Sequence, residues 1–201
     1  PWRVALGIAH DWNLEWITPK ISAEIGDRQG KSAELKLVKS QLNSGFGVVE
    51  TTSGGRLFDA AAAILGICTE VTYEAQAAME LEHAATSWAN RHIGAPALRF
   101  NSYRELFEML AEDDREVSER AWLFHLGLAQ LLGAQAEENA QKAGIKTVGL
   151  TGGVALNRLF SSHFIRIMRE CGYEVLTHKT VPPNDGGLSL GQAWAAVLGA
   201  C

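Results

Sequence analysis

The apolar positions in the first part of the chain recur mainly at helical spacing. Residues 57–67 are small and apolar and predict a helix, and residues 73–92 predict a second helix capped by Thr72. The longest pattern begins at a capping Ser118 and ends at Gly144. The sequence up to that glycine therefore predicts a helix-rich structure.

The pattern changes in the final part of the chain. An apolar run at 145–153 ends in two glycines and predicts a buried strand, and a helix over 154–172 and a second strand over 173–181 follow. A turn rich in proline and glycine then leads into a last helix. This βαβα order implies a parallel strand pair with a right-handed crossover. The chain as a whole is therefore predicted to be an α/β protein.

The composition is that of an ordinary globular protein, with 47% hydrophobic and 20% charged residues. The net charge of −5 and the lack of a basic stripe argue against a nucleic-acid partner. No apolar run approaches the ~20 residues of a transmembrane helix, and the N-terminus is not organised as a signal peptide, so no membrane association is expected. We expect a cytoplasmic protein and, because the chain does not begin with Met, a fragment of a longer one.

The cysteines and one histidine have simple interpretations. Cys68, Cys171 and Cys201 share no close spacing, which predicts free thiols rather than a disulfide framework or a zinc knuckle. His125 lies among apolar residues of the longest helical pattern. It is expected to be a core histidine whose ring is satisfied by a backbone partner.

The string LTGGVALN at 150–157 places two glycines where a strand should meet a helix. Backbone amides at such a junction can bind an anion, for which phosphate is the natural candidate. A tight turn with positive φ explains the same glycines equally well. The string is neither a P-loop nor a G-x-G-x-x-G fingerprint.

Two acidic residues occupy unusual positions. Asp59 lies inside an Ala-rich helix, where its carboxylate requires a partner such as Arg56 or the hydroxyls of a ribose. Asp185 lies in the rigid corner VPPNDGG at 181–187, where either Asn184 or Asp185 could cap the next helix, or the acid could bind a ligand. Together with the two glycines, these corners resemble the layout of a nucleotide site.

Four strings, in this order, carry a specific resemblance: GRLFDAAAAILGI, YEAQAAMELE, GLTGGVALNRL and VPPNDGGLSLGQA. They resemble the C-terminal part of the HypF family, the carbamoyltransferases that mature NiFe hydrogenases. The resemblance implies an α/β fold of the ASKHA type (actin/Hsp70/sugar-kinase, RNase H-like) with an associated, mostly helical subdomain. It implies a helical segment at 1–45, a helix-rich nucleotide-binding subdomain at 46–144 and a βαβα part of the RNase H-like lobe at 145–201.

In that family, carbamoyl-adenylate made from carbamoyl phosphate and ATP gives its carbamoyl group to the C-terminal cysteine of the partner protein HypE, on the way to the cyanide ligands of the hydrogenase. The resemblance implies the same carbamoyltransferase activity for the protein to which this chain belongs, and an inactive isolated fragment. Two alternatives stay open. One is a non-catalytic module that binds nucleotide or docks a partner, and the other is a different ATP-dependent enzyme of the ASKHA type, such as another carbamoyltransferase.

The resemblance also implies site residues, although no catalytic residue, since the nucleophile comes from the partner. Asp185 would ligate a divalent metal ion (Zn, Fe or Mg). The family adds two histidines from a His-x-x-x-His helix, a motif that this sequence lacks, so the metal site is expected to be incomplete here. The implied nucleotide contacts, with Asp59 and Glu74 facing the ribose, are Gly55, Asp59, Glu74, Gly152, Gly153 and Asn157.

Two positions depart from the family pattern. Ala75 stands where the family usually has glycine, and Val49 stands where proline is expected. The extra methyl group of Ala75 either crowds a ligand or shifts the loop that carries Glu74.

Overall fold

The computed structural model describes residues 1–25, 31–95, 98–112 and 114–199. It is a mixed α/β structure that is mostly helical, which confirms the predicted class at this level. Short 3-10 turns occupy Glu15–Ile17, Gly153–Leu156 and Asp185–Gly187. The longer elements are α1 (Trp2–Asp11), α2 (Thr18–Ile25), α3 (Lys31–Ser44), α4 (Gly54–Ile64), α5 (Gln76–Arg91), α6 (Tyr103–Glu112), α7 (Val117–Ala143), β1 (Thr147–Leu150), α8 (Arg158–Glu170), β2 (Glu174–Thr177) and α9 (Leu188–Val197).

The chain divides into two compact units, Pro1–Gly127 and a second unit that begins at Leu128. The division falls inside α7, so this helix contributes to both units. The three segments inferred from the resemblance stay a prediction. Among the described residues, no helix combines the length and the apolar character that crossing a bilayer requires.

The core of the first unit is built around α4, which packs against α1 and α5. Its alanines at 60–63 are completely buried, and Phe58 and Ile64 are also inaccessible to solvent. A helix that is apolar on all sides belongs in the interior, and small side chains let neighbouring helices approach closely. The Ala-rich string therefore determines the centre of this unit.

His125 lies in the same core. Its side chain is fully buried, and Nδ1 lies 2.7 Å from the carbonyl oxygen of Ala121, one helical turn earlier. The predicted core histidine with a backbone partner is confirmed. Cys68 and Cys171 are free thiols, as expected, and Cys201 lies outside the described residues.

The second unit contains the predicted parallel strand pair, but the prediction that the first strand is buried is wrong, because the residues of β1 alternate between exposed and half-buried. Val148 of β1 is paired with Val175 of β2, and α8 crosses between the two strands. The residues of α8 that are buried, Phe160, Phe164 and Met168, follow one another at intervals of four and therefore share one face. The βαβα order is confirmed, including the last helix, α9.

Two predicted helix starts are wrong. The N-cap of α5 is Ala75, and Thr72 instead donates from its backbone amide to Gln76 Oε1 over 2.8 Å. The left-handed backbone of Ala75 prevents the helix from extending further back. Ser118 lies one residue inside α7, which begins at Val117, and its hydroxyl donates to Glu116 rather than capping the helix.

Candidate functional site

The diglycine bend of the second unit follows directly after β1. Gly152 has φ +91° and ψ 170°, a backbone conformation that is essentially restricted to glycine. A Cβ atom on Gly152 would meet nothing within 4 Å, so the backbone conformation, rather than crowding, requires the glycine. Gly153 has no such requirement, and a Cβ there would also point into open space.

The amides of the two glycines have different environments. Gly152 donates its amide hydrogen to the carbonyl oxygen of Pro183 over 2.8 Å, so this amide is already used within the protein. The first hydrogen bond of the following 3-10 turn runs from Ala155 to Gly152. The amides of Gly153 and Val154 head that turn and have no acceptor within it. The amides of Gly153 and Val154 are therefore the candidate donors to an anion, and the amide of Gly152 is not.

The sequence predicted that the bend leads straight into a helix, and this prediction is wrong. α8 begins only at Arg158, because the extended backbone of Asn157 (φ −68°, ψ 111°) separates it from the 3-10 turn. The side-chain oxygen of Asn157 accepts the amide hydrogen of Phe160 over 2.8 Å and so caps α8. Asn157 therefore has a structural role, and its contact with a nucleotide stays a prediction.

In the proline corner, Asn184 rather than Asp185 caps the turn. The side-chain oxygen of Asn184 accepts the amide hydrogen of Gly186, and its carbonyl accepts that of Gly187. Gly187 is needed for packing, because a Cβ atom there would lie 2.9 Å from the carbonyl oxygen of Pro182. Asn184 thus makes the turn, and Asp185 is not required as a cap.

Asp185 lies beside the diglycine bend. It is exposed, and its carboxylate makes no hydrogen bond or ion pair with the residues that the structure describes. Its backbone is two residues from Pro183, the acceptor of the Gly152 amide, and two residues span at most roughly 7 Å. This hydrogen bond therefore brings the backbone of the proline corner next to Gly152. The ligand-binding roles of Gly152, Gly153 and Asp185 stay predictions.

The described residues do not form a metal site by themselves. No group of three or more His, Cys, Asp or Glu side chains among them could hold an ion. Asp185 could supply one carboxylate ligand, whereas protein sites for zinc or magnesium need several ligands. The donor groups of the described residues therefore do not by themselves fit a resident metal ion.

His178 is a neighbour of the bend that the sequence did not single out. The Nε2 atom of His178 lies 2.9 Å from the hydroxyl oxygen of Thr151. Thr151 follows the last residue of β1 and His178 the last residue of β2. The signal that could have found this pair is their equal position after two parallel strands.

The first unit places Gly55 and Asp59 one turn apart on α4, and therefore on the same face. Asp59 is only 7% exposed, and Arg56 Nη1 lies 2.9 Å from its Oδ2 atom. The predicted local ion pair is confirmed. Burial raises the pKa of the Asp59 carboxyl above its ordinary value, and the charge of Arg56 opposes this shift only in part.

Glu74 lies in the exposed turn before α5. The next residue, Ala75, has φ +60° and ψ 10°, the left-handed conformation in which glycine is strongly favoured. This conformation explains why the family usually has glycine at this position. The departure to alanine puts strain on the turn that carries Glu74.

The sequence profile of one protein family matches residues 1–192 of this chain. That family is described as "Carbamoyltransferase, Kae1-like Domain, second subdomain". The chain belongs to this family. The predicted relation to the C-terminal region of HypF is thereby confirmed.

Relatives and solved structures of HypF agree with this membership of the Kae1-like second-subdomain family. The probable carbamoyltransferase HypF of Methanocaldococcus jannaschii is 33% identical over 175 residues, which is 82% of this chain and 22% of that protein. The carbamoyltransferase HypF of Rhizobium leguminosarum is 41% identical over 147 residues, 71% of this chain and 19% of that protein. A crystal structure of full-length HypF in the phosphate- and nucleotide-bound form has a TM-score of 0.78 and 30% identity, and the match covers 97% of this chain and 26% of that one. The chain thus spans about a quarter of the length of these proteins.

Proposed function

We propose that this chain is part of an enzyme that transfers a carbamoyl group from carbamoyl-adenylate, made from carbamoyl phosphate and ATP, to the C-terminal cysteine of the partner protein HypE. The role would be cyanide-ligand synthesis in hydrogenase maturation. The family membership supports this proposal, as does the nucleotide-bound form of the similar full-length HypF. The observation that carries it is the hydrogen bond from Gly152 to Pro183, since it brings the corner that contains Asp185 next to a bend whose Gly153 and Val154 amides have no backbone acceptor among the described residues.

The second unit would bind the phosphate side of the adenylate. Gly152 fixes the bend, and the amides of Gly153 and Val154 donate to phosphate oxygens. The open space around the Cα atom of Gly153 lets the phosphate approach the backbone closely. Hydrogen-bond donors that are already oriented stabilise developing charge without reorganisation during the reaction.

The transfer itself would use the thiolate of the partner. The thiolate sulfur attacks the carbamoyl carbon, the bond from that carbon to the phosphate oxygen of AMP breaks, and AMP leaves with the electron pair. The thiol has already given its proton to solvent. The task of this chain is then to orient the adenylate and to stabilise the charge on departing AMP.

In the first unit, the carboxylates of Asp59 and Glu74 are proposed to accept hydrogen bonds from ribose hydroxyls, and Gly55 is proposed as a further nucleotide contact. The burial of Asp59 supports a role for its carboxylate besides the ion pair with Arg56, because burying a charge is costly unless it is well paired. Arg56 is largely exposed and can move aside when a ligand binds.

A divalent metal ion would neutralise phosphate charge when bound. Asp185 is proposed to supply one ligand, and the other ligands would have to come from residues outside this chain. The carboxylate of Asp185 fits this role because its turn is capped by Asn184 instead.

We also propose that the second unit is part of a larger lobe of the ASKHA type. Its sheet has two strands among the described residues, and so small a sheet rarely stands alone. The last helix, α9, has no buried residue and exposes Leu188, Leu190, Trp194 and Val197. An apolar surface of this extent typically marks an interaction surface.

Isothermal titration with ATP tests the proposal. The intact protein should bind ATP in the presence of Mg²⁺ or Zn²⁺, whereas the 201-residue chain alone should bind weakly or not at all. Asp185→Asn in the intact protein should weaken binding only when the metal is present. Asp114→Asn is the matched control, because it removes an exposed acid from the first unit.

The reaction catalysed distinguishes the remaining alternatives. The proposal expects release of AMP that depends on carbamoyl phosphate and on the acceptor cysteine. Release of phosphate from ATP without carbamoyl phosphate would instead indicate an ATPase or kinase of the same fold class. ATP binding without any turnover in the intact protein would indicate a non-catalytic binding module.

A further inference from the structure

A short series of hydrogen bonds joins the ends of both strands to the proline corner. Leu150 is paired with Thr177 in the parallel register, so Thr151 and His178 are the next two residues beyond the sheet. His178 Nε2 lies 2.9 Å from the hydroxyl oxygen of Thr151. That hydroxyl lies 3.4 Å from the carbonyl oxygen of Pro183.

The chemical groups fix the direction of these hydrogen bonds. A carbonyl oxygen only accepts, so the Thr151 hydroxyl donates its single hydrogen to Pro183. His178 must then donate from Nε2 to the Thr151 oxygen. The carbonyl of Pro183 thus accepts two hydrogen bonds, one from the Thr151 hydroxyl and one from the Gly152 amide.

We propose that His178 is a positioning residue for the phosphate-binding bend. Its imidazole holds the Thr151 hydroxyl, and this hydroxyl and the Gly152 amide both donate to the Pro183 carbonyl. The link keeps the amides of Gly153 and Val154 oriented toward a phosphate. His178 acts through Thr151 and not on the nucleotide. The inference deepens the proposed function and rests on it.

Substitutions of His178 test the effect of losing its hydrogen bond to Thr151. His178 is exposed and lies beyond β2, so His178→Ala should leave the fold intact. It should weaken ATP binding by about three- to tenfold. His178→Gln should restore most of the affinity, because the Gln amide nitrogen can donate from near the position of the imidazole Nε2.

A second pair of variants tests whether the link is shared. Thr151→Val removes the hydroxyl and both of its hydrogen bonds, so it should weaken ATP binding at least as much as His178→Ala does. The double variant should bind no more weakly than Thr151→Val alone, because His178 acts only through this hydroxyl. Thr151→Ser keeps the hydroxyl and should retain the affinity.

The measurements are the Kd for ATP in the intact protein and the rate of amide hydrogen exchange at Gly152 without ligand. His178→Ala should raise both and His178→Gln should restore both, while His83→Ala, an exposed histidine of α5, should change neither. Equal losses in the Ala and Gln variants, or an unchanged Kd in His178→Ala, would overturn the role of His178. A folded wild-type protein that binds no ATP would overturn the proposed function and this role together, so the two failures are distinguishable.

Discussion

The amide of Gly152 donates a 2.8 Å hydrogen bond to the carbonyl of Pro183. This bond joins the diglycine bend to the corner that carries Asp185. It also separates the roles of the two glycines, because Gly152 shapes the bend while Gly153 leaves space beside unpaired amides. The two roles can be tested independently.

Alanine substitutions at the two glycines should affect different properties, namely stability at Gly152 and ATP binding at Gly153. Gly152→Ala should lower the free energy of unfolding of the second unit by ~1–3 kcal/mol, because alanine rarely adopts φ +91°. Gly153→Ala should change stability by less than ~1 kcal/mol but should weaken ATP binding, since its methyl group would occupy the space of the phosphate. Urea unfolding and titration with ATP measure the two effects. Wild-type affinity in Gly153→Ala would contradict the assigned phosphate position.

Replacing Ala75 with glycine should stabilise the first unit. The left-handed conformation costs an alanine about 1–2 kcal/mol, and the greater freedom of glycine in the unfolded chain cancels part of the gain. We expect a net increase of ~0.5–1 kcal/mol in the free energy of unfolding, measured in urea. Ala84→Gly, inside α5, is the matched control and should destabilise by ~1 kcal/mol. The same sign for both variants would argue against strain at Ala75.

Asp59→Asn should show a pH-dependent gain in stability. Burial raises the pKa of Asp59 in the folded state, so the unfolded chain loses this proton more readily and stability falls as the pH rises above the ordinary value of 3.8. The asparagine variant lacks this loss, so its advantage should grow from pH 3.8 upward and be absent below. Unfolding in urea at pH 3.5, 5 and 7 measures the difference. If Asp59 also binds ribose, the more stable variant should bind ATP more weakly.

His163→Gln should remove a loss of stability in acid. Burial, aided by the charge of Arg166, lowers the pKa of His163 in the folded state. The unfolded chain therefore takes up this proton first, and stability falls as the pH drops below the ordinary value of 6.5. The variant should match the wild type at pH 8 and exceed it at pH 5.5. His83→Gln, at an exposed position, serves as the control. A wild type that is equally stable at both pH values would refute the shift.

The order of elements was predictable because local pattern determines it. The all-apolar alanines of α4, the terminating Gly144 at φ +66° and the run of strand, helix and strand after it are visible in the sequence and present in the structure. Helix starts were less predictable. Ala75 adopts a conformation that alanine disfavours, and such a choice is imposed by the surrounding structure rather than by the residue.

The sequence singled out the diglycine bend and the proline corner as a candidate site, but the contacts between them were not predictable. The glycines and Asp185 stand out because few structures need those residues at those places. Two contacts join distant parts of the sequence: the Gly152 amide donates to Pro183, and His178 donates to Thr151. The cap by Asn157 is local, but it depends on where α8 begins. No local pattern encodes such contacts, so they required the structure.

The structure of the diglycine bend depends on the parallel pairing of β1 with β2. Gly152 follows β1 and Pro183 follows β2, so their hydrogen bond requires the two strands to lie side by side. Intermediates that lack this pairing cannot present the bend to a ligand. A ligand of the bend would therefore bind only the native state. Increasing the ligand concentration should then raise the apparent melting temperature of the second unit by mass action.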